Sequence, residues 1–202
     1  MKRIGLLMLV FSLCGIANGS DAIQTEDLER LFTTCRHVGG PTVFDDLLAL
    51  ANGTGASNEE IASCLMEIVK DGISEEAEAR QRFCAECAIS ALGRFGGGNE
   101  RSFLLELMRT TSDKNLRQAA LRACIRMEPD KFDDVVREVA SDERFDSYAK
   151  FGAFEEAFRV GKAGNSQLRE RVKQVLSDWG EKTRGCVSLE CLDSWLAELE
   201  KL

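Results

Sequence analysis

The chain is 202 residues long, with 44% hydrophobic and 30% charged residues and only two prolines. That balance excludes the collagen-like, low-complexity and multi-span membrane classes and points to a globular chain able to bury a core. A formal charge of −8 at pH 7 argues against general attraction to phosphate backbones or anionic lipid surfaces, which need a cationic footprint.

The first residues are Met1-Lys2-Arg3, followed by an apolar run from Ile4 to Ala17 and by Ala17-Asn18-Gly19 before Ser20. This is the pattern of a cleaved secretory signal peptide over residues 1–19, and its apolar run is short of the roughly 20 residues that span a bilayer. Cys14 is not read as a lipid-attachment site, because Leu13 stands where a small residue is wanted. The expectation is an exported chain, periplasmic or extracellular, with no membrane insertion of its mature part. That part, residues 20–202, holds 183 residues at a formal charge of −10 and seven cysteines: Cys35, Cys64, Cys84, Cys87, Cys124, Cys186 and Cys191. An odd number leaves at least one without an intrachain bridge. A chain of this size does not depend on bridges for its core.

After residue 24 apolar residues recur at helical spacing, with no sustained strand-like alternation. The spacing predicts helices over 25–37, 41–52, 58–71, 75–95, 99–110, 114–127, 130–140, 144–161, 165–182 and 188–201. Gly39-Gly40-Pro41, Asn52-Gly53, Asp71-Gly72, Gly96-Gly97-Gly98, Glu128-Pro129 and Gly164-Asn165 mark the breaks. Ser57 and Glu60 have the spacing of a capping box at one helix start.

The helices repeat. Ala85, Ala88, Ile89, Ala91, Leu92 and Phe95 recur in pattern 32 residues on as Arg117, Ala120, Leu121, Ala123, Cys124 and Met127. A weaker copy begins at Lys150 with Ala153, Phe154, Ala157, Val160 and Gly161, and between the copies Phe103, Leu104 and Leu107 shift onto Val135, Val136 and Val139. A pair of helices is therefore the repeating unit. The stretch Asn99 to Met127, with its DKNLRQAALRACIRM segment, resembles the HEAT-like repeats of α-solenoids. The resemblance covers about residues 75–165. Ala85 stands where that family often has Arg, and the 41–52 helix lies 42 residues upstream instead of 32.

The resemblance implies an all-α fold: a right-handed α-α solenoid of about five antiparallel helix pairs in one domain, 20–202. Within it, 20–72 is a modified N-terminal repeat, 75–165 holds the best-matching repeats and 166–202 is a C-terminal cap. Terminal repeats are expected to be atypical because one side of each meets water. Ala119, Ala120 and Ala123 allow close stacking, while Leu116, Leu121, Cys124 and Met127 supply apolar area. Such rods usually act by binding along a concave surface.

Nine places after positions 85, 117 and 150 stand Arg94, Arg126 and Arg159, with Arg122 on the same side. They lie away from the apolar stripe, so the guanidinium groups are expected in solvent as a ladder for carboxylate- or phosphate-bearing partners. A cation in the last helical turn is also favoured by the macrodipole alone. Cys84-Ala85-Glu86-Cys87 has the spacing of thiol oxidoreductases and metal hooks. Its place inside a helix of an all-α chain, without a following His or a second C-x-x-C, favours a structural part. Cys186 and Cys191 can close a small loop at the entry to the last helix.

His37, the single histidine, is two residues from Cys35 and on a different helix face, and it cannot supply a His-rich zinc site alone. Asp45-Asp46, Glu75-Glu76 and Asp133-Asp134 splay apart on a helix and read as solvated. Gly96-Gly97-Gly98 follows a helix and reads as a flexible cap, and Asn52-Gly53-Thr54 fits a glycosylation acceptor. The reading is an exported, non-catalytic protein- or peptide-binding module without cofactor or metal. The alternative is a thiol-redox or metal-handling protein using Cys84 and Cys87.

Overall fold

The described chain starts with a cap. Ser57 Oγ accepts from the Glu60 N–H at 3.2 Å and the Glu60 carboxylate accepts from the Ser57 N–H at 2.8 Å, the box expected from the sequence. The computed structural model describes residues 56–180 and 186–202. The signal peptide, the helices at 25–37 and 41–52, Cys35, His37, Asp45-Asp46 and the Asn52 site lie outside the described residues.

The described residues are helical, with no β-strand among them, in line with the all-α class. The chain divides into two compact units, one ending at Glu100 and the other formed by Arg101–Leu202. In the first, α1 (Asn58–Gly72) packs on α2 (Ala79–Phe95). Ile61, Ala62, Leu65, Ile68 and Val69 form the buried stripe of α1, and Cys84, Ala85, Ala88, Ile89 and Leu92 that of α2. Gly72 sets the approach: a Cβ there would come within 2.4 Å of the Ala85 Cβ and 2.5 Å of the Gln81 carbonyl oxygen. Any larger residue must push a helix backbone away.

The second helix begins at Ala79, four residues later than position 75, because residues 73–78 form a turn. Gln81 Oε1 takes the Glu78 N–H at 2.8 Å, satisfying a donor that would otherwise be orphaned. Glu75 and Glu76 are thus exposed turn residues. Gly96 ends α2 at φ −75°, an extended conformation with no left-handed turn, and Gly98 already belongs to the next helix.

The helix α3 (Gly98–Thr110) leads into the second unit, followed by α4 (Lys114–Met127), a 3-10 turn (Pro129–Lys131), α5 (Phe132–Ser141), α6 (Ser147–Ala163), α7 (Ser166–Gly180) and α8 (Leu189–Glu200). Asp113, Asp146 and Ser188 cap α4, α6 and α8 through side-chain oxygens. The Asp146 cap explains why α6 starts at 147 and not at 144. Asn165 Oδ1 likewise takes the Leu168 N–H at 2.9 Å as α7 begins.

The sixth helix is the centre of this unit. Gly152, Ala153, Phe154, Glu156, Ala157 and Phe158 are all buried, so it is covered on nearly every side, and α4, α5, α7 and α8 pack against it. Phe132, Phe154, Leu104 and Val136 are fully buried, each worth about 1.5–3 kcal/mol by removal from water. Ala120 and Ala123 are fully buried, as close stacking requires. Gly152 lets α4 come near: a Cβ there would lie 1.5 Å from the Gln118 Nε2.

Five ion pairs of this unit link helices two places apart, while Arg101 of α3 instead pairs with Glu128 at the end of the next helix, α4, at 3.3 Å. Arg109 of α3 holds Glu138 of α5 at 2.6 and 2.8 Å, and Arg122 and Arg126 of α4 hold Glu155 and Glu156 of α6. Arg171 of α7 holds Asp133 of α5 at 2.8 Å, and Lys162 of α6 holds Glu198 of α8. Each of these five joins a helix to the one two places along the chain. Among the described residues no helix is long and apolar enough to cross a membrane.

Candidate functional site

In the unit 101–202 the arginines of the repeated position meet two glutamates. Arg126 makes a bidentate contact with Glu156, Nε to Oε1 at 2.6 Å and Nη2 to Oε2 at 2.9 Å. Arg122 Nη2 donates to Glu155 Oε2 at 2.6 Å, and Arg159 Nη2 donates to the other Glu155 oxygen at 2.8 Å. Arg159 Nη1 also lies 3.6 Å from Glu156 Oε2. The order Arg122, Glu155, Arg159, Glu156, Arg126 is thus one continuous chain of opposite charges.

Burial sorts these groups. The Glu156 side chain is 3% exposed, those of Arg122 and Arg126 26% and that of Arg159 49%. Arg126 mainly neutralises Glu156, which the packing of α6 has taken out of water, and Arg122 holds the half-buried Glu155, a structural task. Arg159 keeps half its side chain in solvent. Three arginines against two glutamates leave one net positive charge, and the exposed guanidinium is where it can be reached.

Arg94 is exposed in the last turn of α2, where the helix dipole favours it. It lies in the first unit, and the other three in the second. The expectation of solvent-facing arginines therefore holds for Arg94 and half-holds for Arg159. Arg122 and Arg126 are turned to helix-to-helix bonding. Glu155 and Glu156 were missed in the sequence, although an acidic pair about 30 residues after two arginines, near the repeat length, was the signal.

Cys84 is 2% exposed on the buried stripe of α2, and Cys87 is half-buried. Glu78, Arg80, Gln81 and Cys84 line an open recess of about 320 Å³ beside the start of that helix. Cys124 is fully buried; its Sγ donates to the Arg101 carbonyl at 3.8 Å, and burial pushes its thiol up to about 12, which makes it a poor nucleophile. Cys186 and Cys191 are half-buried thiols on either side of the α8 cap. Burial, then the nearby Glu155 carboxylate, raises the Cys191 thiol above its ordinary range.

Among the described residues no group of three or more His, Cys, Asp or Glu is placed to hold a metal ion. Asp133 and Asp134 do not act as a pair: Asp133 turns to Arg171 and Arg137, while Asp134 is exposed. Comparison with known proteins finds no matching family model, no similar curated protein and no similar solved structure.

Proposed function

We propose that this protein is an exported, non-catalytic binding module whose 101–202 unit is a short stack of HEAT-like helix pairs. The observation that supports this reading is the set of five ion pairs from α3 to α5, α4 to α6, α5 to α7 and α6 to α8, the ties expected in a stack of helix pairs. A right-handed course follows from the resemblance. Export rests on the basic start, short apolar run and small-residue site of residues 1–19.

The partner in this reading is a protein or peptide presenting carboxylates, with no nucleic acid and no cofactor involved. Arg159 is the first contact, because its half-exposed guanidinium can donate to a further carboxylate while still holding Glu155. Arg94 offers a separate exposed cation in the other unit. Arg122 and Arg126 support the site by fixing Glu155 and Glu156. Acidic peptides and proteins from envelope or culture-supernatant extract supply the test. Arg159→Glu is expected to abolish capture and Arg94→Glu to weaken it; capture untouched by both changes sinks the arginine-face reading.

The second reading, thiol chemistry at Cys84 and Cys87, draws support from the recess that reaches Cys84. Against it stands the 2% exposure of that residue, since thiol exchange requires access to sulfur. Rapid alkylation of Cys84 in the folded chain would favour this reading over the first.

A further inference from the structure

The entry to α8 places two cysteines around one cap. Ser188 is the N-cap, and its Oγ accepts the Cys191 N–H at 3.2 Å. Val187 and Leu192, the residues before the cap and in the first turn, are 6% and 5% exposed and stand at the two positions of a hydrophobic staple. Cys186 and Cys191 stand one place before each staple residue, both thiols and both half-buried. One turn after Cys191, Trp195 stacks on Phe158 of α6 at 5.3 Å between ring centroids and 10° between planes. The cap, the two buried residues beside it and the aromatic stack anchor the start of α8.

We propose that Cys186 and Cys191 are an oxidative modification site, joined by a disulfide that fastens the start of α8 in its docked position. The inference is independent of the arginine-face reading. The oxidant is a disulfide-bearing compound, such as oxidised glutathione or an oxidised protein dithiol. Burial and the Glu155 carboxylate disfavour the Cys191 thiolate, and in the proposed order Cys186 attacks first. Its thiolate bonds to one sulfur of the oxidant and expels the other as a thiolate. Cys191 then loses its proton and attacks the Cys186 sulfur of the mixed disulfide, expelling the second oxidant thiolate. The two cysteines lose two protons and two electrons, and the oxidant gains the electrons as two thiols.

Trypsin cleaves after Arg184 and Lys201 but nowhere between, so residues 185–201 leave the full chain as one peptide carrying both cysteines. The chain is held in oxidised and reduced glutathione, capped with a thiol alkylator and digested without reduction. The expected peptide is uncapped and about two mass units lighter than its dithiol form, the two hydrogens lost on bonding. Two capped thiols, or a bond from either residue to another cysteine, overturn the proposal. Cys191→Ser spares the cap, which uses the backbone N–H, and should leave Cys186 as a stable mixed disulfide with glutathione. Glutathione content no higher than in the unchanged chain counts against the proposal. Amide exchange across 189–196 should slow about tenfold on oxidation and not in the variant; equal rates exclude the fastening of α8.

Discussion

The two units bring helices together by different means. At the α1–α2 crossing a Cβ on Gly72 would meet the Ala85 Cβ at 2.4 Å and the Gln81 carbonyl oxygen at 2.5 Å, both held rigidly by the α2 backbone. At the α4–α6 crossing a glycine again opens the gap, but a side chain, Gln118, fills it, and two arginine–glutamate pairs close the remaining length. The first contact has almost no freedom to adjust. The second can rearrange its side chains yet depends on buried charges staying matched.

The largest effect should come from breaking that match. Arg126→Ala leaves the nearly buried Glu156 carboxylate with only Arg159, 3.6 Å away, as partner, and a loss of about 3 kcal/mol is expected in urea unfolding. Arg126→Met with Glu156→Leu should recover most of it; failure to recover would mean that the guanidinium matters for more than neutralisation. Next comes Gly72→Ala, where the new Cβ meets atoms that move only with their helices, at about 2 kcal/mol. No single truncation nearby should rescue it.

Gly152→Ala should cost less, about 1 kcal/mol, because the Gln118 amide is the far end of a side chain and its Nε2 and Oε1 have no hydrogen-bond partner among the described residues. Adding Gln118→Ala should return stability toward that of Gln118→Ala alone. If the two changes are additive by double-mutant cycle, the contrast between the crossings fails.

The smallest effect concerns pH. The Arg109 hydrogen bond, and secondarily its charge, holds the Glu138 carboxyl below its ordinary 4.5. The unfolded chain therefore binds the proton more readily, so this contribution is complete above about pH 4.5 and fades as pH falls through the lowered folded value. Arg109→Gln should flatten the acid limb of a circular-dichroism titration at a cost of at most about 1 kcal/mol near neutrality, since the pair is partly solvated. An acid limb of unchanged slope would assign the low-pH loss to other carboxylates, among them Asp146, whose carboxyl the Ala149 N–H holds low.

Helix existence was legible because the apolar spacing of residues such as Ile61, Leu65 and Ile68, or Val135, Val136 and Val139, matches the buried faces. One start was legible where Ser57 and Glu60 mark it. Another was misplaced at 75, because the unusual Glu78 and Gln81 pairing hides the cap among helix-favouring residues. Gly72 looked like punctuation, and its part as a contact needed the partner helix to be seen. The arginine positions were also legible, but not their state. Whether Arg126 faces water or a carboxylate depends on a residue thirty positions away.

The ties to the second-next helix have a consequence for how the chain comes apart. Freeing α7 and α8 from the end means breaking Arg171–Asp133 and Lys162–Glu198 together with the Trp195 stack, so the last two helices should open as one cooperative step. Native-state exchange in mild denaturant should then show amides of both helices sharing a single opening free energy. The charges that look like surface decoration would set the step size of unravelling.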